Sequence, residues 1–114
     1  ESFIASMYDL FARKYPGIDV YLFGHIGDGN LHVNALKPES MGREEFLKRA
    51  HEADRDLFSL VQRHHGSISA EHGIGLLKKD SLQYSRTPEE MAIFRALKHT
   101  FDPKGLLNPG KIFD

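Results

Sequence analysis

Residues 24–34 read GHIGDGNLHVN, and apolar residues lie on both sides of the Asp28-Gly29 pair at their centre. An Asp-Gly pair between two apolar runs is the strongest short-range signal of a β-hairpin. With Asp28 and Gly29 as a two-residue turn, His25 lies directly opposite His32, and the Cβ atoms of such a pair are roughly 5 Å apart. Two imidazoles at that distance can bind one divalent metal ion.

The predicted hairpin has a polar face and an apolar face, because side chains alternate along a strand. Phe23 and Asn34 lie on the same side as the two histidines, and this side is interpreted as a site. The other side is interpreted as core and carries Leu22, Ile26, Leu31 and Val33. This pairing depends on the two-residue turn, since a three-residue loop would change which side chains share a face.

Helical spacing of apolar residues predicts three helices around the hairpin. The first ends before Pro16, because the residue before a proline disfavours the helical conformation. The second covers about 43–64, with Gly66 at or near the C′ position. The third begins at Pro88, with Thr87 as its N-cap.

Residues 67–70 are predicted to form a third strand, and a short helix is predicted from Gly73 to about Lys79. Residues 81–86 are expected to be irregular. The order helix, strand, strand, helix, strand predicts an α+β fold, an antiparallel sheet with helices on one face. This order is that of a ferredoxin-like split motif without its first strand.

The composition of the chain limits its class. It has 114 residues, a formal net charge of -1 and no cysteine. The length suffices for one domain with a modest core. The near-zero charge gives no sign of binding to nucleic acid or to an anionic membrane. The absence of cysteine excludes disulfide scaffolds and thiolate metal sites, and it favours a reducing compartment such as the cytoplasm or the mitochondrial matrix.

Glu71 is the predicted third donor for a metal held by His25 and His32. Two neutral imidazoles and one carboxylate leave open positions on the ion, which is typical of a catalytic site. Zinc is the first choice, and Mn, Co or Fe(II) accept the same donors. The alternative is that the two histidines are polar residues on a solvated hairpin face and that Glu71 is a surface charge.

His72 and Asn34 are the other candidate site residues. His72 is predicted to act as a general base, because imidazole is well suited to accepting a proton near neutral pH. Its alternative role is that of a capping histidine at a helix start. Asn34 either forms a hydrogen bond with a substrate oxygen or is a surface residue of the strand. Residues 108–111, Asn-Pro-Gly-Lys, are interpreted as a turn that docks the C-terminal tail.

Three stretches together resemble a known family. They are HIGDGNLH at 25–32, SAEHGIG at 69–75 and DPKGLLNPGKIF at 102–113. In this order they resemble the C-terminal domain of FAD-linked oxidases, a group that includes D-lactate dehydrogenases, glycolate oxidase D subunits and D-2-hydroxyglutarate dehydrogenases. The resemblance covers about residues 21–114, and it is strongest to the D-2-hydroxyglutarate dehydrogenase branch.

The resemblance implies a ferredoxin-like fold and a set of roles. The implied roles are metal ligands at His25, His32 and Glu71, a catalytic histidine at His72, a substrate contact at Asn34 and a cofactor contact near the flavin at Asn108.

The implied reaction is oxidation of a D-2-hydroxy acid to the 2-oxo acid, with metal assistance and hydride transfer to FAD. A quinone, a cytochrome or an electron-transfer flavoprotein would then reoxidise the flavin. The FAD-binding domain and upstream basic residues of the family are absent, and the sequence enters helical spacing directly at Glu1. We therefore expect residues 1–114 to be a fragment of a longer protein, inactive alone, and we expect that the full-length protein contacts a membrane only peripherally, if at all.

Two other classes remain open at this stage. One is a metal-dependent hydrolase that uses the same two histidines and Glu71 with a bound water. The other is a non-catalytic binding or dimerisation module with incidental histidines. An exposed strand edge also favours pairing with a second copy of the chain.

Overall fold

The computed structural model describes residues 1–114, which form helices and one two-stranded antiparallel sheet. The elements are α1 (Ser2–Lys14), β1 (Asp19–His25), β2 (Asn30–Leu36), α2 (Arg43–Arg63), a 3-10 helix (Lys79–Tyr84) and α3 (Pro88–Phe101). The mixture of helices and an antiparallel sheet confirms the predicted α+β class. The chain divides into two compact units, Glu1–His64 and His65–Asp114.

The hairpin of the first unit is present, but its turn is longer than predicted. His25 pairs with Asn30, so the loop contains the four residues 26–29. The Asp28 carboxylate accepts a hydrogen bond from the Asn30 backbone N–H at 3.2 Å, and Gly29 has a φ of +70°. Because Asp28 uses its side chain inside the loop, the prediction of a two-residue turn is wrong.

The longer loop moves the strand register by two residues. Phe23, not His25, lies directly opposite His32. A shift of two residues leaves every side chain on its predicted face, since side chains alternate with a period of two. The predicted division into a polar face and an apolar face is therefore kept, whereas the direct His25–His32 pairing is wrong.

The apolar face of the hairpin packs on the two helices of this unit. Its contribution to the core is Val20, Leu22, Val33 and Ala35, which pack against buried Met7, Phe11, Tyr15, Ile18, Ala53 and Leu60. Leu22 and Val33 confirm the predicted core face. Ile26 and Leu31 do not, because Ile26 lies in the loop and is fully exposed and Leu31, next to the loop, is 36% exposed. Within this unit both helices therefore pack on one face of the sheet. The opposite, open face carries exposed side chains, those of Tyr21, Phe23, His25 and Asn34.

Gly24 allows the two strands to approach closely beside the turn. A Cβ atom at this position would lie 2.0 Å from the carbonyl oxygen of Asn30, which is backbone and has no freedom to rotate away. No side chain fits at that distance, so glycine is required here by space rather than by its φ angle. This contact fixes the end of the ladder that carries His25.

A polar cluster joins α1 to α2 at the edge of the core. The Tyr15 hydroxyl donates a 2.7 Å hydrogen bond to Asp56, and Lys14 donates to both oxygens of the same carboxylate at 3.1 and 3.2 Å. The bond from Tyr15 holds the pKa of Asp56 below its usual value, and Lys14 adds to the effect. Burial, together with the bond to Asp56, raises the pKa of Tyr15.

The second unit differs most from its prediction between 64 and 79. Residues 67–70 form no strand, and the 3-10 helix begins only at Lys79. The Ser67 hydroxyl donates to the Ser69 carbonyl at 3.1 Å, and the Ser69 hydroxyl donates to the Gly73 carbonyl at 2.8 Å. These local bonds give the backbone an alternative to strand pairing, so the predicted third strand is wrong. The predicted end of α2 is confirmed: His65 occupies the C′ position with a φ of 55°, and Gly66 follows it directly.

The third helix confirms its predicted start. The Thr87 hydroxyl accepts from the Glu90 N–H at 3.2 Å, and the Glu90 carboxylate accepts from the Thr87 N–H at 2.8 Å. This is a complete capping box with Pro88 at the first helical position. No residue of α3 is buried, although its apolar residues recur at helical spacing.

None of the helices combines the length and the apolar character that a membrane crossing requires.

Candidate functional site

The open face of the hairpin carries both predicted histidines. His25 and His32 lie on this face in diagonal positions, because His25 pairs with Asn30 and His32 pairs with Phe23. Diagonal neighbours are roughly 7–8 Å apart, a distance that long and aromatic side chains still span. The structure therefore brings the two imidazoles to one face.

His32 is held against an aromatic ring. The rings of Phe23 and His32 are stacked, with their centroids 4.7 Å apart and their planes within 2° of parallel. His32 is half-buried, whereas His25 at the end of the strand is exposed. The sequence pattern gave no sign of this stack, because the predicted register placed His25 where Phe23 lies.

Asn34 extends the open face toward the far end of the hairpin. It lies directly opposite Tyr21, on the same side as His32. It is exposed, so its amide can reach a molecule that binds on this face. Its predicted role in substrate binding stays a prediction that is compatible with its position.

The structure does not assemble the three predicted metal donors into one group. No group of three or more His, Cys, Asp or Glu side chains in residues 1–114 is arranged to hold a metal ion. His25 and His32 belong to the first unit and Glu71 to the second. The imidazoles of His25 and His32 match two of the ligands of a zinc site that combines nitrogen and oxygen donors. The first unit supplies only these two of the three predicted ligands.

Glu71 and His72 lie in an exposed loop rather than between a strand and a helix. Glycines with positive φ follow them, +72° at Gly73 and +54° at Gly75. The predicted position of His72 at a helix start is therefore wrong, and a capping role loses its basis. Its role as a general base stays a prediction.

The C-terminal tail is bonded to this glycine-rich loop. The Ile112 N–H donates a 2.7 Å hydrogen bond to the Gly75 carbonyl. The Lys79 ammonium forms an ion pair with Asp114 and approaches the Gly110 carbonyl at 3.5 Å. The tail therefore supports the segment that follows Glu71 and His72, as the interpretation of residues 108–111 as a docking turn predicts.

Asp102 organises the start of that tail, a role that its place at the head of the stretch 102–113 did not predict. Its carboxylate accepts from the Leu106 and Leu107 N–H groups at 3.0 and 2.9 Å and from the Lys98 ammonium at 2.5 Å. The bond from Lys98, followed by the one from Leu107, lowers the pKa of Asp102 to about 2. The signal was present in the sequence, since Lys98 and Asp102 are four residues apart at a helix end.

Asn108 lines a cavity of about 480 Å³ beside the C-terminal half of α3. It has a φ of 45°, a conformation that asparagine tolerates better than most residues. Arg95 lies over the ring of Phe113 at 5.7 Å, on the wall of the same cavity. Asn108 therefore lies in a concave surface. Its predicted contact with a cofactor stays a prediction.

Comparison with known proteins identifies the family. Residues 1–112 match the family described as FAD linked oxidases, C-terminal domain. This chain therefore belongs to that family, and the resemblance inferred from the three sequence motifs is confirmed.

Three relatives show which members of the family are similar. A D-2-hydroxyglutarate dehydrogenase from Stutzerimonas stutzeri (strain A1501) is 46% identical over 112 residues, which are 98% of this chain and 24% of the relative. A mitochondrial D-2-hydroxyglutarate dehydrogenase from Bos taurus is 46% identical over 105 residues, 91% of this chain and 18% of the relative. A D-lactate dehydrogenase from Archaeoglobus fulgidus is 41% identical over 101 residues, 89% of this chain and 21% of the relative. The chain thus spans about a quarter or less of the length of these proteins.

Proposed function

We propose that this chain is the C-terminal part of an FAD-dependent dehydrogenase that oxidises a D-2-hydroxy acid to the 2-oxo acid. The observation that carries the proposal is the open hairpin face with His25, His32 and Asn34, in a chain whose relatives are named for D-2-hydroxyglutarate and D-lactate. Membership of the FAD-linked family favours this function over a hydrolase or a binding module.

In this proposal the chain's own residues bind and orient the hydroxy acid. The Asn34 amide donates a hydrogen bond to a substrate oxygen, and His72 accepts the proton of the substrate hydroxyl. FAD, bound mainly by residues outside this chain, supplies the hydride acceptor when it is present. Asn108, which lines the concave surface beside α3, contacts the flavin.

The metal-binding part of the proposal rests on His25 and His32, with Glu71 as the third ligand on the basis of its sequence motif alone. A zinc ion held there would supply a positive charge that stabilises the developing alkoxide. The shared face of the two imidazoles supports this part. Elemental analysis of the intact, purified protein tests it, and less than about one tenth of a metal ion per chain would argue against it.

The partners of the proposed enzyme are an electron acceptor and a second copy of the chain. Reoxidation of the flavin requires an acceptor such as a quinone, a cytochrome or an electron-transfer flavoprotein. Both strands of the two-stranded sheet have an unpaired edge, which favours pairing with a second copy. For the location, we propose the cytoplasm or the mitochondrial matrix, and the relative from Bos taurus, which is named as mitochondrial, is consistent with a mitochondrial location.

The decisive experiment is anaerobic mixing of the intact flavoprotein with D-2-hydroxyglutarate, D-lactate and their L-enantiomers. The proposal expects loss of the oxidised flavin absorbance with a D-2-hydroxy acid, formation of one 2-oxo acid per flavin, and no reaction with the L-forms. A His72→Gln variant should bind the same substrate and reduce the flavin at least about 100-fold more slowly. A flavin that none of the D-acids reduces would refute the proposal.

A further inference from the structure

We propose that the exposed apolar side of α3, formed by Ile93, Leu97 and Phe101, is the surface on which the FAD-binding part of the same polypeptide packs. This inference rests on the proposed function, in which residues 1–114 are the C-terminal part of a longer flavoprotein. The three residues are four positions apart and therefore share one side of the helix. They are called the α3 stripe below.

Helix α3 has two apolar sides, and only one of them is partly covered. The half-buried residues of the helix are Met91, Phe94 and Lys98, which lie three and four positions apart and so share one side. The α3 stripe lies beside them, and its three residues are 59%, 50% and 82% exposed. Apolar residues on more than one side of a helix indicate that more than one side is covered by protein.

The second unit buries few apolar side chains of its own. Its buried hydrophobic residues are Ile68 and Leu82, and no residue of α3 is buried. A helix of 14 residues is marginal in water by itself, and most helix stability in proteins comes from the packing of an apolar face. The capping box holds the first turn of α3 but leaves the stripe exposed. The stripe therefore supplies contact area that residues 1–114 leave unused.

The exposed apolar surface continues from the stripe into the tail. Leu106 and Leu107 are 73% and 63% exposed, and the Asp102 carboxylate accepts a hydrogen bond from the backbone N–H of each. Both residues are thus held in place at the end of α3. Leu107 and Asn108 line the same cavity. A contact of Asn108 with the flavin, which the proposed function includes, would bring the FAD-binding part against this surface.

The length of the relatives assigns the partner to the same polypeptide. The matched residues are 24% of the relative from Stutzerimonas stutzeri and 18% of the relative from Bos taurus, so most of each protein lies outside the match. The stripe carries no charge, and permanent interfaces are more apolar than transient ones. A large apolar surface left open is an aggregation liability, and a part of the same chain is always present to cover it.

Cysteine labelling of the intact FAD-containing protein tests whether the stripe is covered. Leu97→Cys places a thiol on the stripe, and Ala92→Cys is the matched control, because Ala92 is exposed on another side of the same helix. Mass spectrometry identifies the labelled peptide, and residues 1–114 contain no cysteine of their own. In the native protein the thiol at position 97 should react with a maleimide at least about 30-fold more slowly than the thiol at position 92. In urea the two rates should be equal, and equal rates in the native protein would overturn the proposal.

Photo-crosslinking identifies what covers the stripe. Benzoylphenylalanine in place of Phe101 should form a crosslink, at the mass of one chain, to a peptide of the same polypeptide that lies outside residues 1–114. A product with the mass of two chains would overturn the proposal in favour of a second copy. A crosslink to a peptide within residues 1–114 would overturn it as well, since the chain would then cover its own stripe.

These outcomes separate the interface from the proposed function. A protected stripe in a protein whose flavin no D-2-hydroxy acid reduces would support the interface and refute the function. An unprotected stripe in an active protein would do the reverse. If the Leu97→Cys protein does not fold by circular dichroism, Ile93→Cys takes its place under the same criteria.

Discussion

Replacing Gly24 by alanine should destabilise the hairpin more than the same replacement at any other glycine of the hairpin. The new Cβ would lie 2.0 Å from the Asn30 carbonyl oxygen, 2.9 Å from the Asn30 carbonyl carbon and 3.0 Å from the Leu31 Cα. All three atoms are backbone, so no rotation of a side chain can relieve the overlap. The two strands must separate by about 1 Å at the end of the ladder that pairs His25 with Asn30.

The magnitude follows from this displacement. Overpacking of a fixed structure typically costs about 1–3 kcal/mol. Weakening of a ladder hydrogen bond next to the turn adds about 0.5–1.5 kcal/mol. We therefore expect Gly24→Ala to lower the free energy of unfolding by about 1.5–4.5 kcal/mol. It should also weaken the binding of any ligand that bridges His25 and His32.

Urea unfolding followed by circular dichroism measures the change. Gly27→Ala is the matched control, because Gly27 lies in the same hairpin and a Cβ there meets no atom within 4 Å. Its effect should stay within about 0.5 kcal/mol. A Gly24→Ala protein as stable as wild type, or a Gly27→Ala protein that is equally destabilised, would refute the reasoning.

Three further predictions concern the helices and the tail. Asp102 has a pKa lowered to about 2, so its contribution to stability is complete above the ordinary aspartate pKa near 4 and is lost as the pH falls toward 2. The acid unfolding of an Asp102→Asn protein should lack this pH dependence. Thr87→Ala removes the hydroxyl of the capping box and should cost about 1 kcal/mol in urea unfolding, whereas Thr87→Ser should cost much less. Tyr15→Phe deletes the 2.7 Å bond to Asp56 and should cost about 1 kcal/mol, with the loss reduced in an Asp56→Asn background because the two changes share one interaction.

The sequence was sufficient for elements with strong local signals. The Thr87-Pro88 start of α3 and the two faces of the hairpin were predicted, because a capping box and a period-two pattern act through neighbouring residues. The length of the turn was not predicted, since it depends on whether the Asp28 carboxylate bonds the Asn30 N–H inside the loop.

The second unit was harder to predict because its backbone is held by side chains. Ser67 and Ser69 bond nearby carbonyls where a strand was expected, and Asp102 caps two backbone N–H groups of the tail. Such bonds have no periodic signature in a sequence. The stack of Phe23 on His32 was missed for a related reason, since it depends on a register that only the loop length sets.

The most direct test of the proposed site is flavin reduction in the intact protein with His32→Ala compared with wild type. Under anaerobic mixing with a D-2-hydroxy acid, the wild-type flavin should lose its oxidised absorbance, and the His32→Ala flavin should do so at least about 100-fold more slowly while its FAD content is unchanged. Equal rates of reduction in the two proteins would contradict the claim that the open face of this hairpin takes part in the oxidation.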